Sequence, residues 1–334
     1  MIPTPLHPRD ALFSTSDPAF PIIAPCDHYA GSEKLMLKSL ALQRELGPIF
    51  DVTFDCEDGA ARGKTQEHRE LISRLIASPE NLFGAVGVRI HDLEDPEWRN
   101  DIGYFLRESG DRLAHVTIPK ARDFAAAAEA VELFESTRHN LGIKRDIPLH
   151  LLIESQGALR DIWQIAALPG LRGLDFGIMD FISSHRGALP AEATRSPGQF
   201  DHRLLARAKT ELVAACLANG LVPSHNVTLD LTDPTVVRSD AYRARMEFGF
   251  LRMWSIHPLH IRAIVEAFKP DFTEASRAGE ILLQAQQSGW GPLRYGGELY
   301  DRASYRMLWD TLQRAHKAGL HLGESVLQAF FNPV

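Results

Sequence analysis

The chain has little cysteine. Cys26, Cys56 and Cys216 are odd in number, far apart and in no CxxC pattern. That excludes a disulfide framework and a thiolate zinc site, and it points to a reducing compartment in which the three read as small buried hydrophobes. No apolar run is long enough to cross a bilayer. The first twenty residues lack the basic start and apolar segment of a secretory signal, so the expectation is a cytoplasmic protein with no membrane partner. The NVT at Asn226 is then a chance glycosylation match. There is also no basic stripe: 36 Lys and Arg stand against 43 Asp and Glu, for a net charge of −7, so no nucleic-acid partner is expected. Small acids stay open, because a pocket need not share the sign of the whole molecule. GxGxxG, HExxH, GxSxG and an EF-hand loop are absent. The GAARGKT run from Gly59 has three residues between its glycines instead of the four a phosphate loop needs.

What remains is an ordinary globular composition, 45% hydrophobic and 24% charged. Eight short apolar or β-branched runs recur: PIIAPC from Pro21, DVTFDC from Asp51, GAVGVRI from Gly84, LAHVTIPK from Leu113, PLHLLIE from Pro148, LRGLDFG from Leu171, HNVTLDL from His225 and FLRMWSI from Phe250. Helix-length segments separate them, with an insertion before the seventh. Eight βα units predict an α/β fold, a closed (βα)8 TIM barrel. The stretch from Gly177 to Phe200 is weakly periodic and long, as functional loops are. The barrel is assigned to residues 1–260, and 261–334 to a C-terminal helical extension that packs on a neighbouring subunit.

Loops at the C-terminal ends of barrel strands build the active site. The candidates are therefore Asp27 and His28, Glu57 and Asp58, Arg89 and His91, Lys120, Glu154, Asp180 and His257. Glu154 closes HLLIE and Asp180 follows LDFG. On adjacent strands both reach one point over the rim, an oxygen set suited to a hard divalent ion such as Mg2+; the alternative is a capping Glu154 and a solvated or helix-capping Asp180. Glu57 and Asp58 add a third oxygen or hold a water of the outer shell. Arg89 ends its strand with a planar guanidinium able to clamp a carboxylate. Lys120 in TIPK reads either as a Schiff-base nucleophile or as an ion-pair partner for Glu154 or Glu57. The two imidazoles of HPLH, His257 and His260, form a weak metal pattern.

With those residues in place, the sequence resembles the HpcH/HpaI aldolase and citrate lyase superfamily, in its citrate lyase beta subunit-like and malyl-CoA lyase-like branch. The resemblance runs from about Pro21 to Leu320. It rests on DVTFDCEDGA with Lys64 downstream, VGVRI, TIPK, LLIESQGALRDIWQIAALPGLRGLDFGIMDF and IHPLHI. It implies a (βα)8 barrel with additional C-terminal helices, assembled as a homotrimer or homohexamer. It implies Mg2+ on Glu154 and Asp180, Arg89 stabilising an oxyanion, and Glu57 and Asp58 around the metal's water. Asp301 of GELYDRASY would enter a neighbour's site as the acid/base group. The implied activity is Mg2+-dependent carbon–carbon cleavage of a hydroxy-acyl thioester, malyl-CoA- or citryl-like. The alternatives are a metal-dependent aldolase of a free 2-oxo-4-hydroxy acid, a thioesterase variant, and a non-catalytic ligand-binding protein. Four positions depart from the pattern: His28 replaces an arginine, His91 an asparagine, Arg252 and Met253 a Gly-Lys pair, and His225 with Asn226 an aspartate. His28, Lys120 and Arg252 are the expected contacts for a small acid or acyl thioester.

Overall fold

The computed structural model describes residues 6–14, 20–60 and 63–331; Ala61 and Arg62 of the GAARGKT run lie outside them. Eight parallel strands close into a barrel in sequence order: β1 (Cys26–Ala30), β2 (Asp51–Asp55), β3 (Val86–Arg89), β4 (Val116–Ile118), β5 (Leu149–Ile153), β6 (Leu171–Phe176), β7 (Val222–His225) and β8 (Arg252–Ser255). The ring is complete because β1 pairs with both β2 and β8. Helices follow the strands, and their apolar faces pack outside the ring in one continuous core with the strands. This is the expected TIM-barrel architecture.

Six strands lie within the apolar runs read from the sequence. The other two are displaced. β1 begins at Cys26, where the run PIIAPC ends, and β7 ends at His225, where HNVTLDL begins. Short apolar runs do not by themselves distinguish a strand from the segments that lead into or out of it. The consequence is local but useful: Tyr29 falls on β1, and Val227 and Leu229 move beyond the end of β7. The stretch after β6 is not structureless either. It folds into three short helical pieces, Ile178–Ser183, Ala191–Thr194 and Gly198–Asp201, with Phe181, Leu189, Ala193 and Phe200 buried.

Among the described residues, those of 24–268 form one compact unit, and those before 24 together with those after 268 form another. The boundary expected at 260 falls inside the helix Pro258–Phe268, which packs on the helix Pro234–Phe248 and on β1 and β8, and so goes with the barrel. In the second unit the helices Pro8–Leu12, Phe272–Gln287, Arg302–Lys317 and Glu324–Phe330 share a core that includes Leu12, Ile281, Leu282, Tyr305 and Leu312. The interruption between the longer helices is a hairpin, Leu293–Tyr295 with Glu298–Tyr300. Its two-residue turn is Gly296-Gly297, both at positive φ, the backbone a twisted hairpin of this length requires. Among the described residues, no helix is long and apolar enough to cross a membrane.

The barrel interior is polar. Arg252 on β8 is fully buried and pairs with Asp27 at 2.9 Å and Asp51 at 2.6 Å. Thr53 donates to Asp27 at 2.8 Å and meets the Nε2 of His115 at 2.7 Å. His115 stacks on His150 with ring centroids 4.9 Å apart. Gly87 on β3 makes the room, since a Cβ there would lie 2.3 Å from that Nε2. Because Asp27 and Arg252 were both taken out of water, removing one leaves the other as an uncompensated buried charge. Arg252→Met is therefore expected to lower the unfolding free energy by about 3–5 kcal/mol. Denaturant unfolding checks this; a change within about 0.5 kcal/mol, the range of neutral surface substitutions, would refute it.

Candidate active site

The mouth of the barrel is organised by a carboxylate that the sequence reading passed over. Asp55, at the end of β2, stands directly across the ladder from Arg89, at the end of β3. Its two oxygens accept from the guanidinium of Arg89, Nε at 2.6 Å and Nη2 at 2.5 Å, in a planar two-point pair. The same oxygens accept from the backbone N–H of Glu57 at 3.0 Å and of Gly59 at 2.7 Å, which fixes the turn after β2. Gly59 has to be glycine, because a Cβ would lie 2.4 Å from Asp55 Oδ2. The remaining nitrogen of Arg89, Nη1, lies 3.1 Å from Glu57 Oε2, an ion pair without hydrogen-bond alignment.

Lys120, just after β4, is the second cation. Its ammonium donates to Glu57 and to Asp58, the latter at 2.9 Å, and lies 3.8 Å from Asp180. Its φ of 48° is a conformation that costs energy outside glycine and persists where the surroundings impose it. Here its own N–H donates to Glu154 Oε1 at 2.6 Å. Glu154 follows β5 and is buried against Gly177, where a Cβ would stand 2.3 Å from Glu154 Oε2. Burial, with the nearby Asp180 charge adding to it, pushes the Glu154 carboxyl up to about 8. Glu57 is also raised, chiefly by burial. Burial acts the same way on Asp58, but Lys120 offsets it and holds Asp58 below the usual carboxylate range. Five carboxylates thus face two cations, and burial makes the charge costly at Glu57 and Glu154. An oxygen-only set with excess negative charge fits a hard divalent cation. The adjoining cavity, about 330 Å3, is lined by Asp55, Asp58, Arg89, Glu154 and Asp180 on one side.

The structure therefore brings together Glu57, Asp58, Arg89, Lys120, Glu154 and Asp180. It does not bring Arg252 or His28 to them. Arg252, expected to contact substrate, lies inside the barrel because Asp27 and Asp51 hold its guanidinium there. His28, expected in the same role, is buried with its Nδ1 2.8 Å from Ser255 Oγ and does not line the cavity; burial lowers it to about 4. His91 is bound to Asp101 through Nδ1 at 2.6 Å. Asp301 caps the helix Arg302–Lys317, accepting from the N–H groups of Ala303 and Ser304 in a reciprocal capping box. His225 is buried 2.7 Å from the ammonium of Lys209 and stacked on Phe200.

The barrel interior holds a second group suited to metal coordination: Asp27, His115 and His150 offer ligand atoms within 4.8 Å of one another. Two imidazoles and one carboxylate make a softer donor set than the carboxylates at the mouth. Asp27 already has Arg252 as its counter-charge.

Comparison with known proteins agrees with this geometry. The profile of the family described as HpcH/HpaI aldolase/citrate lyase matches residues 36–258. The chain is 51% identical to a solved citrate lyase from Burkholderia xenovorans LB400, over 98% of this chain and 100% of that one, with a TM-score of 0.82. It is 28% identical over 289 residues to the L-malyl-CoA/beta-methylmalyl-CoA lyase of Rhodobacter capsulatus, covering 80% of this chain and 87% of that protein. Protein CitE from Mycobacterium tuberculosis, solved with magnesium, acetoacetate and coenzyme A, shares the fold at 20% identity and a TM-score of 0.63, over 88% of this chain and 98% of that one. The profile match spans well over half the chain and includes every mouth residue described above, so this protein belongs to the HpcH/HpaI aldolase/citrate lyase family.

Proposed function

We propose that the protein is a Mg2+-dependent carbon–carbon lyase that cleaves a hydroxy-acyl thioester of malyl- or citryl-type. The observation that carries this reading is the convergence of Glu57, Asp58 and Asp180 on the single ammonium of Lys120, with Glu154 and the clamped Arg89 beside it. Its relatives support it, two of them being a citrate lyase and a malyl-CoA lyase by name.

Glu154 and Asp180 would hold the Mg2+, and Glu57 and Asp58 would serve as its outer-shell partners. When bound, the ion supplies a Lewis acid for the carboxylate and adjacent oxygen of the substrate. Arg89 is held rigid by Asp55, so its guanidinium is positioned in advance for the enolate oxygen of the departing acyl thioester. The hydroxyl of the substrate loses its proton and becomes a carbonyl as the carbon–carbon bond breaks. The electron pair passes to the acyl fragment, which then takes up a proton. Asp301 of a neighbouring subunit is the proposed acid/base group in a homotrimer or homohexamer. Three free, buried thiols suit a cytoplasmic location. A free-acid aldolase is the second reading, favoured by the seclusion of Arg252 and His28, which removes two of the expected contacts for a carrier arm.

Glu154→Ala and Asp180→Ala are each expected to abolish Mg2+ binding in calorimetry and turnover with it, while leaving the circular dichroism spectrum intact, because ligands at a barrel mouth serve the site more than the core. Glu57→Gln and Asp58→Asn should lose about ten- to a hundredfold in affinity, as outer-shell partners do. Unchanged Mg2+ affinity in the Glu154 and Asp180 variants would overturn the reading. The shared site is checked by mixing chains: an Asp301→Ala protein and a Glu154→Ala protein, each inactive, should regain activity together, and a fully active monomer by light scattering would dispose of it.

A further inference from the structure

Asp55 grips Arg89 through Nε and Nη2, along one edge of the guanidinium. An edge contact still lets the group tilt about the line of the pair, so a second contact in another direction is needed to hold it. Tyr29 supplies one. The Cζ of Arg89 lies over the Tyr29 ring, 5.2 Å from its centroid, within reach of a cation–π contact. Tyr29 comes from β1, two strands along the barrel from β3, and lines the same cavity as Arg89. Both residues are buried, each with 7% exposure. Water therefore screens the contact little, the setting in which such a pair contributes most.

The ring is itself held in place. Trp254, on the neighbouring strand β8, packs against it with centroids 4.9 Å apart and planes inclined at 51°. The indole N–H of Trp254 donates to the carbonyl of Phe176, at the end of β6, at 3.3 Å. Leu152 and Val227 complete this small cluster, with Leu229 packed on it, separate from the main core. The Tyr29 hydroxyl is buried, and the contact with Arg89 belongs to the ring.

What the ring supplies differs in kind from what the carboxylates supply. Each carboxylate laid on Arg89 neutralises part of the charge that a developing oxyanion needs. An aromatic face attracts the cation through its quadrupole and brings no net charge. Nη1, which meets Glu57 Oε2 at 3.1 Å without hydrogen-bond alignment, keeps its N–H groups for the substrate. We infer that Tyr29, backed by Trp254, is a positioning residue that holds the oxyanion-stabilising Arg89 through the face of its ring. This rests on the lyase reading and adds to it a residue that acts through Arg89. Because Arg89 answers charge that develops only as the carbon–carbon bond breaks, loss of the ring lowers kcat and leaves KM nearly unchanged.

The test uses the full-length Mg2+-loaded protein on whichever of malyl-CoA and citryl-CoA it cleaves, and reads kcat, KM and Mg2+ affinity. Tyr29→Phe keeps the ring and should retain kcat within about threefold, whereas Tyr29→Leu should lose about ten- to thirtyfold, the worth of a desolvated cation–π contact. KM and Mg2+ affinity should both stay within about twofold. Phenylalanine at position 29 is then replaced by its mono-, di- and trifluoro derivatives, which keep the shape while draining the negative face of the ring, and kcat should fall stepwise. A flat series overturns the inference, as does a Tyr29→Phe loss as large as that of Tyr29→Leu. A Tyr29→Leu loss that appears in KM or in Mg2+ affinity marks a merely structural role and also overturns it. If the native protein cleaves neither thioester, the lyase reading fails, and the contact is judged by the denaturation midpoint along the same fluorinated series. A stepwise fall upholds Tyr29 as the residue that positions Arg89, and a flat or rising midpoint overturns it.

Discussion

The Asp55–Arg89 pair is the constraint on which the mouth of the barrel depends. Both residues end neighbouring strands at matching positions of the ladder, so the pair is built by backbone register before any side chain is adjusted. The pair is largely buried, and one carboxylate fixes both a guanidinium plane and the turn that carries Glu57 and Asp58. Arg89 is thus oriented in advance, which is how a fixed cation stabilises developing charge without reorganising. Gly59 and Gly177 belong to the same constraint, since each lets a backbone come within reach of a carboxylate where a methyl group would collide.

Around that pair the mouth carries more negative charge than its own cations can neutralise. Burial raises the Glu154 and Glu57 carboxyls, while Lys120 draws Glu57, Asp58 and Asp180 inward around one point. The interior below solves a similar problem differently: Arg252 stays with Asp27 and Asp51 and is sealed in. One barrel therefore holds two polar layers, one closed on itself and one open toward a cavity. The open layer carries the proposed chemistry, while the closed one serves the fold.

How far the site was legible follows from its strands. Glu154, Asp180, Arg89, Glu57 and Asp58 were readable because each lies at the end of an apolar run or within a few residues of it, and a parallel barrel brings all such ends to one face. Lys120 was legible in its bland role, as the partner of Glu57, which the ion pair bears out. Asp55 was missed because, inside DVTFDC, it looked like part of the strand, and its partner lies thirty-four residues away in sequence. Arg252 and His28 were misplaced for the converse reason. They sit at strand positions where a polar residue looks exposed, yet the interior holds the carboxylates and hydroxyls that bury them.

The barrel, the count and order of its strands, the family and the face on which chemistry would lie can all be read from the order of residues alone. These follow from periodic burial and from motifs contiguous in the chain. Folding in three dimensions was needed to bring Tyr29, Val227 and Leu229 to Trp254 in one apolar cluster, to turn Arg252 inward, and to join the helix Pro258–Phe268 to the barrel. Each of those outcomes depends on which side chains a strand meets across the ring. That is set by closure and register, where a shift of one residue exchanges inside for outside.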